Sequence, residues 1–229
     1  MLFACHQVDA KRSGRHDDAM SLVPIAVYDR TVTASLERVW ENVLDWEHLP
    51  WLHDTTFGHV RLLEHTPAGF RAETSLAHGG TPFVIDVETD RAGRLYHSRT
   101  IAGAGTGTDI VTTLTPSAPH ATDVHVEFLV PDVAPERRDA IGGVFVALYT
   151  RLWDEDEAMM VRRQAYVDGR LPAHRREVAL DGARCAFSTT CPHLGGPLDD
   201  AAVDAAGIVT CPWHGHRFDV RTGRRVDAA

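Results

Sequence analysis

The chain has 229 residues, 44% of them hydrophobic, with a formal charge of −9. This length suits one large domain and one small one, and the hydrophobic fraction is that of a globular protein with a buried core. The acidic balance, which no basic run contradicts, argues against nucleic acid as a partner. No stretch approaches the roughly 18 apolar residues of a membrane span. The four cysteines are Cys5, Cys185, Cys191 and Cys211; their placement does not suggest a disulfide framework and fits a reducing cytoplasm.

Residues 1–22 are polar and patternless and lack an apolar signal core, so they read as a disordered tail, with Met20 an alternative start. A strand, Tyr28–Val32, leads to a helix. Leu36, Val39, Trp40 and Val43 recur there at helical spacing, and Pro50 predicts an end near His48. Strand patterns follow at His59–Glu64, Gly69–Leu76, Pro82–Asp90, Leu95–Ala102, Thr108–Thr115 and Asp123–Val130. Their regular spacing predicts an antiparallel meander. A long helix is expected over Pro135–Val167, with Pro135 in its first turn and Ile141, Val144, Phe145, Leu148 and Leu152 as its apolar stripe. Gly169-Arg170-Leu171-Pro172 reads as a linker. Strands Arg176–Leu180 and Arg184–Thr189 flank an Asp181-Gly182 turn.

Two segments near the C-terminus carry the strongest chemical signal: Cys191-Pro192-His193 and Cys211-Pro212-Trp213-His214, with seventeen residues between His193 and Cys211. Each offers one thiolate and one imidazole. Two Cys and two His would also satisfy a structural zinc, but zinc sites usually pair like with like along the chain. Glycine-rich flanks, Leu194-Gly195-Gly196-Pro197-Leu198 and Gly215, let two loops close over a cofactor. The pattern resembles the Rieske iron–sulfur proteins. The resemblance implies a [2Fe-2S] cluster with Cys191 and Cys211 on one iron and His193 and His214 on the other. The respiratory members carry an extra disulfide. The matching positions here are Gly196 and Trp213, so the likeness points to the ferredoxin and oxygenase branch.

The order of elements over about residues 24–168 resembles the helix-grip fold of the START and polyketide-cyclase superfamily, most specifically at Val39–Asp45 and Leu49–His53. It implies a curved sheet wrapped on a long helix around a ligand cavity. Pro82, Phe83, Ile85, Val87, Ile101 and Phe128 are the expected cavity or core residues. The expected fold class is therefore α+β: a helix-grip domain at 24–168, then a small, truncated all-β Rieske domain at 172–229 that lacks strands before and after its cluster loops.

Rieske oxygenases join a Rieske domain to a helix-grip variant that holds a mononuclear Fe(II) with two His and one carboxylate. Glu41-Asn42, then Asp45, His48 and His53, are similar to their Asp-x-x-His-x-x-x-x-His run, and Asp156 in the late acidic cluster matches the carboxylate. The resemblance implies His48, His53 and Asp156 as iron ligands. It implies that Asp45 links an iron His to a cluster His, His193 or His214. The domain order is reversed from that of the oxygenases. On this reading the chain is an oxygenase that takes electrons from a reductase or ferredoxin and oxidises a small apolar substrate. The linker at 169–172 looks too short to bring the two centres together in one chain, so a ring-like homo-oligomer is expected. The alternative is a START-like ligand-binding domain fused to a Rieske electron carrier without mononuclear iron. In that case Asp45 merely caps the first helix, and the acidic run is a solvated face.

Overall fold

The computed structural model describes residues 22–226 apart from Asp132. The expected tail lies outside the described residues up to position 21, as does Cys5, and Leu22 already opens β1 (Leu22–Val32). Ser35 caps α1 (Leu36–Leu44) by accepting from the Arg38 amide at 3.3 Å, and the helix buries Val39, Trp40 and Asn42. The helix does not run to His48. It stops at Leu44, and a 3-10 turn over Trp46–His48 leads into the short α2 (Leu49–Leu52). Leu49 adopts right-handed helical angles despite the proline after it. Pro50 sits in the first turn of α2, where a missing N–H costs nothing. The break therefore falls before the proline, and it turns Asp45 and His48 into the interior.

Six strands follow: β2 (Phe57–Thr66), β3 (Gly69–Leu76), β4 (Phe83–Asp90), β5 (Leu95–Gly103), β6 (Asp109–Ala118) and β7 (Ala121–Pro131). Each pairs antiparallel with the next, and β1 closes on β7, giving the order β1-β7-β6-β5-β4-β3-β2. Register shifts in β1, β2, β5 and β6 bend the sheet. Alternation along β7 puts Val124, Val126, Phe128 and Val130 inward.

The helix α3 (Pro135–Val167) fills the curve of this sheet. Its buried face differs from the expected stripe. Val144 is 68% exposed, while Gly142, Trp153 and Met160 are buried, and Phe145 and Tyr149 pack on Phe128. A Cβ on Gly142 would overlap the Ile25 carbonyl, so glycine lets α3 lie directly on β1. Arg30 of β1 pairs with Asp154 and Glu157, fixing the helix on the same strand. No helix among the described residues is long and apolar enough to cross a membrane.

Beyond the linker, β8 (Arg175–Leu180) and β9 (Ala183–Ser188) form a hairpin. Its turn residues Asp181 and Gly182 both have positive φ, as a type I′ turn requires. A second pair, β10 (Ile208–Thr210) and β11 (Arg217–Asp219), completes the small unit. Its core of Phe187, Leu198, Val209, Trp213, Phe218 and Val220 also contains Met159 of α3, with Leu52 of α2 against it. The strands expected to be missing are thus replaced by helices of the larger unit, and α3 serves two cores at once.

This sharing predicts one cooperative unfolding event. Met159→Ala should lower stability by about 2–5 kcal/mol, read by urea denaturation. Helical circular dichroism and tryptophan fluorescence should shift together. Two separate transitions, with only one of them moved, would show that the units fold independently.

Candidate metal centres and the cavity between them

The two cysteine segments fold into matching knuckles. In the first, the Cys191 amide donates to the Gly196 carbonyl at 2.8 Å and the Gly195 amide to the Cys191 carbonyl at 3.0 Å. In the second, Cys211 donates to the His216 carbonyl at 2.8 Å and Gly215 to the Cys211 carbonyl at 2.9 Å. Gly195 and Gly215 both have positive φ. Each is covered by an aromatic ring of the large unit. A Cβ on Gly195 would lie 2.6 Å from the Tyr166 side chain of α3, and one on Gly215 would overlap the Trp51 ring of α2. Arg162 adds a hydrogen bond of 2.8 Å to the Gly195 carbonyl.

The knuckles bring together the four residues expected to ligate a cluster. Cys191 and Cys211 are buried, and their thiols interact. The contact with Cys211 lowers the Cys191 pKa to about 7, helped by the amides of His193 and Leu194, although burial opposes the shift. The same contact and burial push Cys211 up. The pair thus gives up a first proton more readily than a second, as two thiols close enough to share one proton do. The rings of His193 and His214 lie 4.9 Å apart. Burial, with the neighbouring His216 and His214, holds His193 down at about 4, so its imidazole is neutral at ordinary pH. A Cβ on Gly196 would come within 2.7 Å of the Cys211 sulfur, so this glycine keeps the space beside the thiols clear. Donor chemistry and clearance both fit an iron–sulfur cluster.

The second expected set also converges. His48 and His53 are buried, and their Nε2 atoms face Asp156 Oδ1 at 3.4 and 3.1 Å. The ligand atoms of the three residues all lie within 4.8 Å of one another. α2 supplies the geometry, since its turn brings His53 back beside His48, with ring centroids 5.1 Å apart. Glu155 Oε2 lies 2.5 Å from His53 Nδ1, and Asn42 Nδ2 donates to Asp156 Oδ1 at 3.0 Å. His53 therefore has a carboxylate on each ring nitrogen. Burial opposes its protonation, but Asp156 and then Glu155 outweigh that and raise its pKa. Burial likewise disfavours ionised Asp156, and the contacts with His53 reverse this and lower its pKa. A buried group of two imidazoles among carboxylates attracts a cation. A divalent metal at the two Nε2 atoms and Asp156 would satisfy that demand, and Glu155 would then fix the His53 tautomer.

Asp45 stands between the two sets. Its amide closes α1 by donating to the Asn42 carbonyl at 3.1 Å, so it does cap the helix. Its carboxylate Oδ2 lies 2.7 Å from His214 Nε2 and 3.8 Å from His48 Nδ1, and that buried Nδ1 has no other partner. Burial works against ionisation of Asp45, but His214 and His48 prevail and hold the carboxyl well below the usual range. The contact leaves His214 Nδ1 for the cluster side. The linker permits this within one chain, contrary to expectation, so a neighbouring subunit is not needed to join the centres.

A cavity of about 130 Å³ opens beside His48, His53 and Asp156. Ile85 and Val87 line it, as expected, with Phe57, Phe70, Tyr149 and Leu152. Phe128 is core, also within that expectation, whereas Pro82 is exposed and Ile101 is 42% exposed. Three contributors were missed in sequence. Glu155 was one of four adjacent acids. Asn42 was noted beside Glu41 but given no role. His216, whose ring lies 4.2 Å from His193, falls outside the Cys–His spacing.

Residues 149–228 match the family model of the Rieske [2Fe-2S] domain. The match begins inside α3, in agreement with the part this helix plays in the small core. No curated protein matches the chain. Among solved structures, a START superfamily protein from Mycobacterium smegmatis shares 17% identity at a TM-score of 0.50, over 60% of this chain and 97% of that one. The Zhui aromatase/cyclase from Streptomyces sp. R1128 gives 16% identity and a TM-score of 0.47, over 63% and 95%. Norcoclaurine synthase from Thalictrum flavum gives 17% and 0.48, over 68% and 97%. The likeness to the mycobacterial structure identifies the fold of the large unit as START-like.

Gly196→Ala should abolish the visible absorbance of the cluster, because the new methyl would press on the Cys211 sulfur. Gly143→Ala, where nothing lies within 4 Å of an added Cβ, should leave it intact. Full absorbance in the Gly196 variant would show that the knuckles have slack.

Proposed function

Starting from a chain that fuses a START-like helix-grip domain to a Rieske [2Fe-2S] domain, we propose that it is a Rieske-type oxygenase. On this reading Cys191, His193, Cys211 and His214 hold the cluster, and His48, His53 and Asp156 hold a mononuclear Fe(II). When bound, the cluster would supply single electrons and the Fe(II) held by His48, His53 and Asp156 would supply the oxygen chemistry. A reductase or ferredoxin is the proposed donor, and a small molecule in the cavity is the substrate. The observation that carries the reading is the Asp45 carboxylate, in contact with a His of each set within one chain.

The chain's own residues have defined tasks. Asp45 accepts from His214 Nε2, which fixes that imidazole and directs its other nitrogen to the cluster. Its charge also faces His48 Nδ1, favouring the tautomer that leaves Nε2 as a ligand. Glu155 does the same for His53. Trp51 and Tyr166, seated on the knuckle glycines, hold the two units in register. Phe57, Phe70, Ile85, Val87 and Leu152 exclude water from the space beside the ligands.

Anaerobically purified protein should contain about three irons per chain, two from the cluster and one mononuclear. Asp156→Ala should reduce this to about two and leave the cluster's electron paramagnetic resonance signal unchanged. Two irons in the unaltered chain would favour a START-like ligand-binding domain fused to an electron carrier. Asp45→Asn should retain all the iron and slow substrate-dependent reoxidation of the reduced cluster by at least about tenfold, a loss of a charge-assisted hydrogen bond. Unchanged reoxidation would make Asp45 a helix cap and nothing more.

A further inference from the structure

The cavity beside His48, His53 and Asp156 has an unusual lining. Its charged or ionisable groups, apart from tyrosine, are Asp45, Asp156, His48 and His53, all already assigned to the metal site and its bridge. No Arg or Lys lines it. The two positive charges of the proposed Fe(II) would be offset by Asp156, Asp45 and Glu155, so an anionic ligand would lose its hydration without a net counter-charge. The walls are Phe57, Phe70, Ile85, Val87 and Leu152, which favour an apolar body. The volume of about 130 Å³ is close to that of cavities known to take a benzene-sized guest, about 150 Å³.

Three hydroxyls also line it, those of Tyr96, Ser98 and Tyr149, and the Tyr96 hydroxyl faces Thr112. Tyr149 lines the cavity, its ring fixed edge-on against Phe128 at 4.8 Å, and its hydroxyl has no hydrogen-bond partner among the described residues. Ser98, on β5 opposite Val87, also lines the cavity without a hydrogen bond. Burial, then Tyr96 and Asp156, push the pKa of Tyr149 well above the ordinary value, so it keeps its proton and remains a donor. Tyr149 is half-buried, and a donor at a cavity wall without a protein partner is open to a ligand that can accept from it. Nothing in the proposed oxygen chemistry uses either hydroxyl.

We propose that this cavity binds an uncharged, ring-sized apolar molecule bearing one hydrogen-bonding oxygen, and that Tyr149, assisted by Ser98, orients that oxygen. The proposal rests on the cavity being the substrate site of the oxygenase. It makes Tyr149 a specificity-determining residue. A donor at one wall and the metal ligands at another would hold the ring in a single pose and present one edge to the metal.

Three probes of matched size separate the possibilities: toluene, benzyl alcohol and benzoate. Their dissociation constants are measured by titration calorimetry on the full, cluster-loaded chain at neutral pH, without reductant or oxygen. Benzyl alcohol should bind about tenfold more tightly than toluene, the worth of one hydrogen bond, and benzoate at least about tenfold more weakly than toluene. Tyr149→Phe, which keeps the ring and its packing, should remove the advantage of benzyl alcohol and leave toluene within about twofold. Ser98→Ala should remove part of it. Benzoate binding as well as benzyl alcohol would overturn the proposal, as would an unchanged ratio in Tyr149→Phe or no binding of either neutral probe. Because no turnover is read, binding with the predicted ranking in a protein that holds only two irons would refute the oxygenase and leave the ligand class standing.

Discussion

Everything else in this structure depends on how two glycine knuckles are seated on two helices. Trp51 of α2 lies on Gly215, and Tyr166 of α3 lies on Gly195. Any side chain at either glycine would drive ring and loop apart. These contacts set the small unit at one position on the large one. That position brings His214 to Asp45, and Asp45 also faces His48. The distance between the two candidate metal centres is therefore a consequence of aromatic packing on glycine. A flexible linker alone would not fix it.

The same seating explains how so short a C-terminal unit is stable. A unit of this size buries little apolar surface on its own. Met159 and the tail of α3 complete its core, while Trp153 and Met160, on neighbouring turns, belong to the core of the larger unit. The acidic run Asp154–Glu157 lies between. Asp154 and Glu157 pair with Arg30 and pin the helix to β1, Asp156 faces the imidazoles, and Glu155 holds His53. Four consecutive acids thus divide their work between fixing the helix and building a site, because successive helical positions point in different directions.

Much of this was legible in the sequence, and for physical reasons. The long helix shows its limits through Pro135 and its apolar period. The hairpin of β8 and β9 shows itself through Asp181-Gly182, and the cluster loops through cysteine, histidine and glycine at fixed offsets. The seven-stranded sheet is legible as a meander, although its strands run longer than their hydrophobic patterns. What stayed hidden depends on contacts between distant segments. His53 and Glu155 lie 102 positions apart, and the Asp45 contact across 169 positions was legible only through the oxygenase resemblance, which left His193 and His214 both open. The start of α2 before Pro50 was hidden for another reason: a proline within a first turn reads in sequence like the end of a helix. That misreading left unexplained how His53 returns to His48. The reach of the linker was misjudged because the docking surface on α2 and α3 could not be seen.

The central claim is that one chain places a mononuclear iron beside its own Rieske cluster. Nitric oxide, an oxygen surrogate that gives ferrous sites a distinctive high-spin resonance, tests it directly. Cluster-reduced protein is treated with the gas, and the relaxation of the cluster signal is followed by pulsed electron paramagnetic resonance. The account predicts a high-spin iron–nitrosyl signal and a faster-relaxing cluster, an effect that persists at dilutions where the protein is monomeric and disappears in Asp156→Ala. A cluster whose relaxation ignores nitric oxide, or responds only in an assembled oligomer, would contradict it.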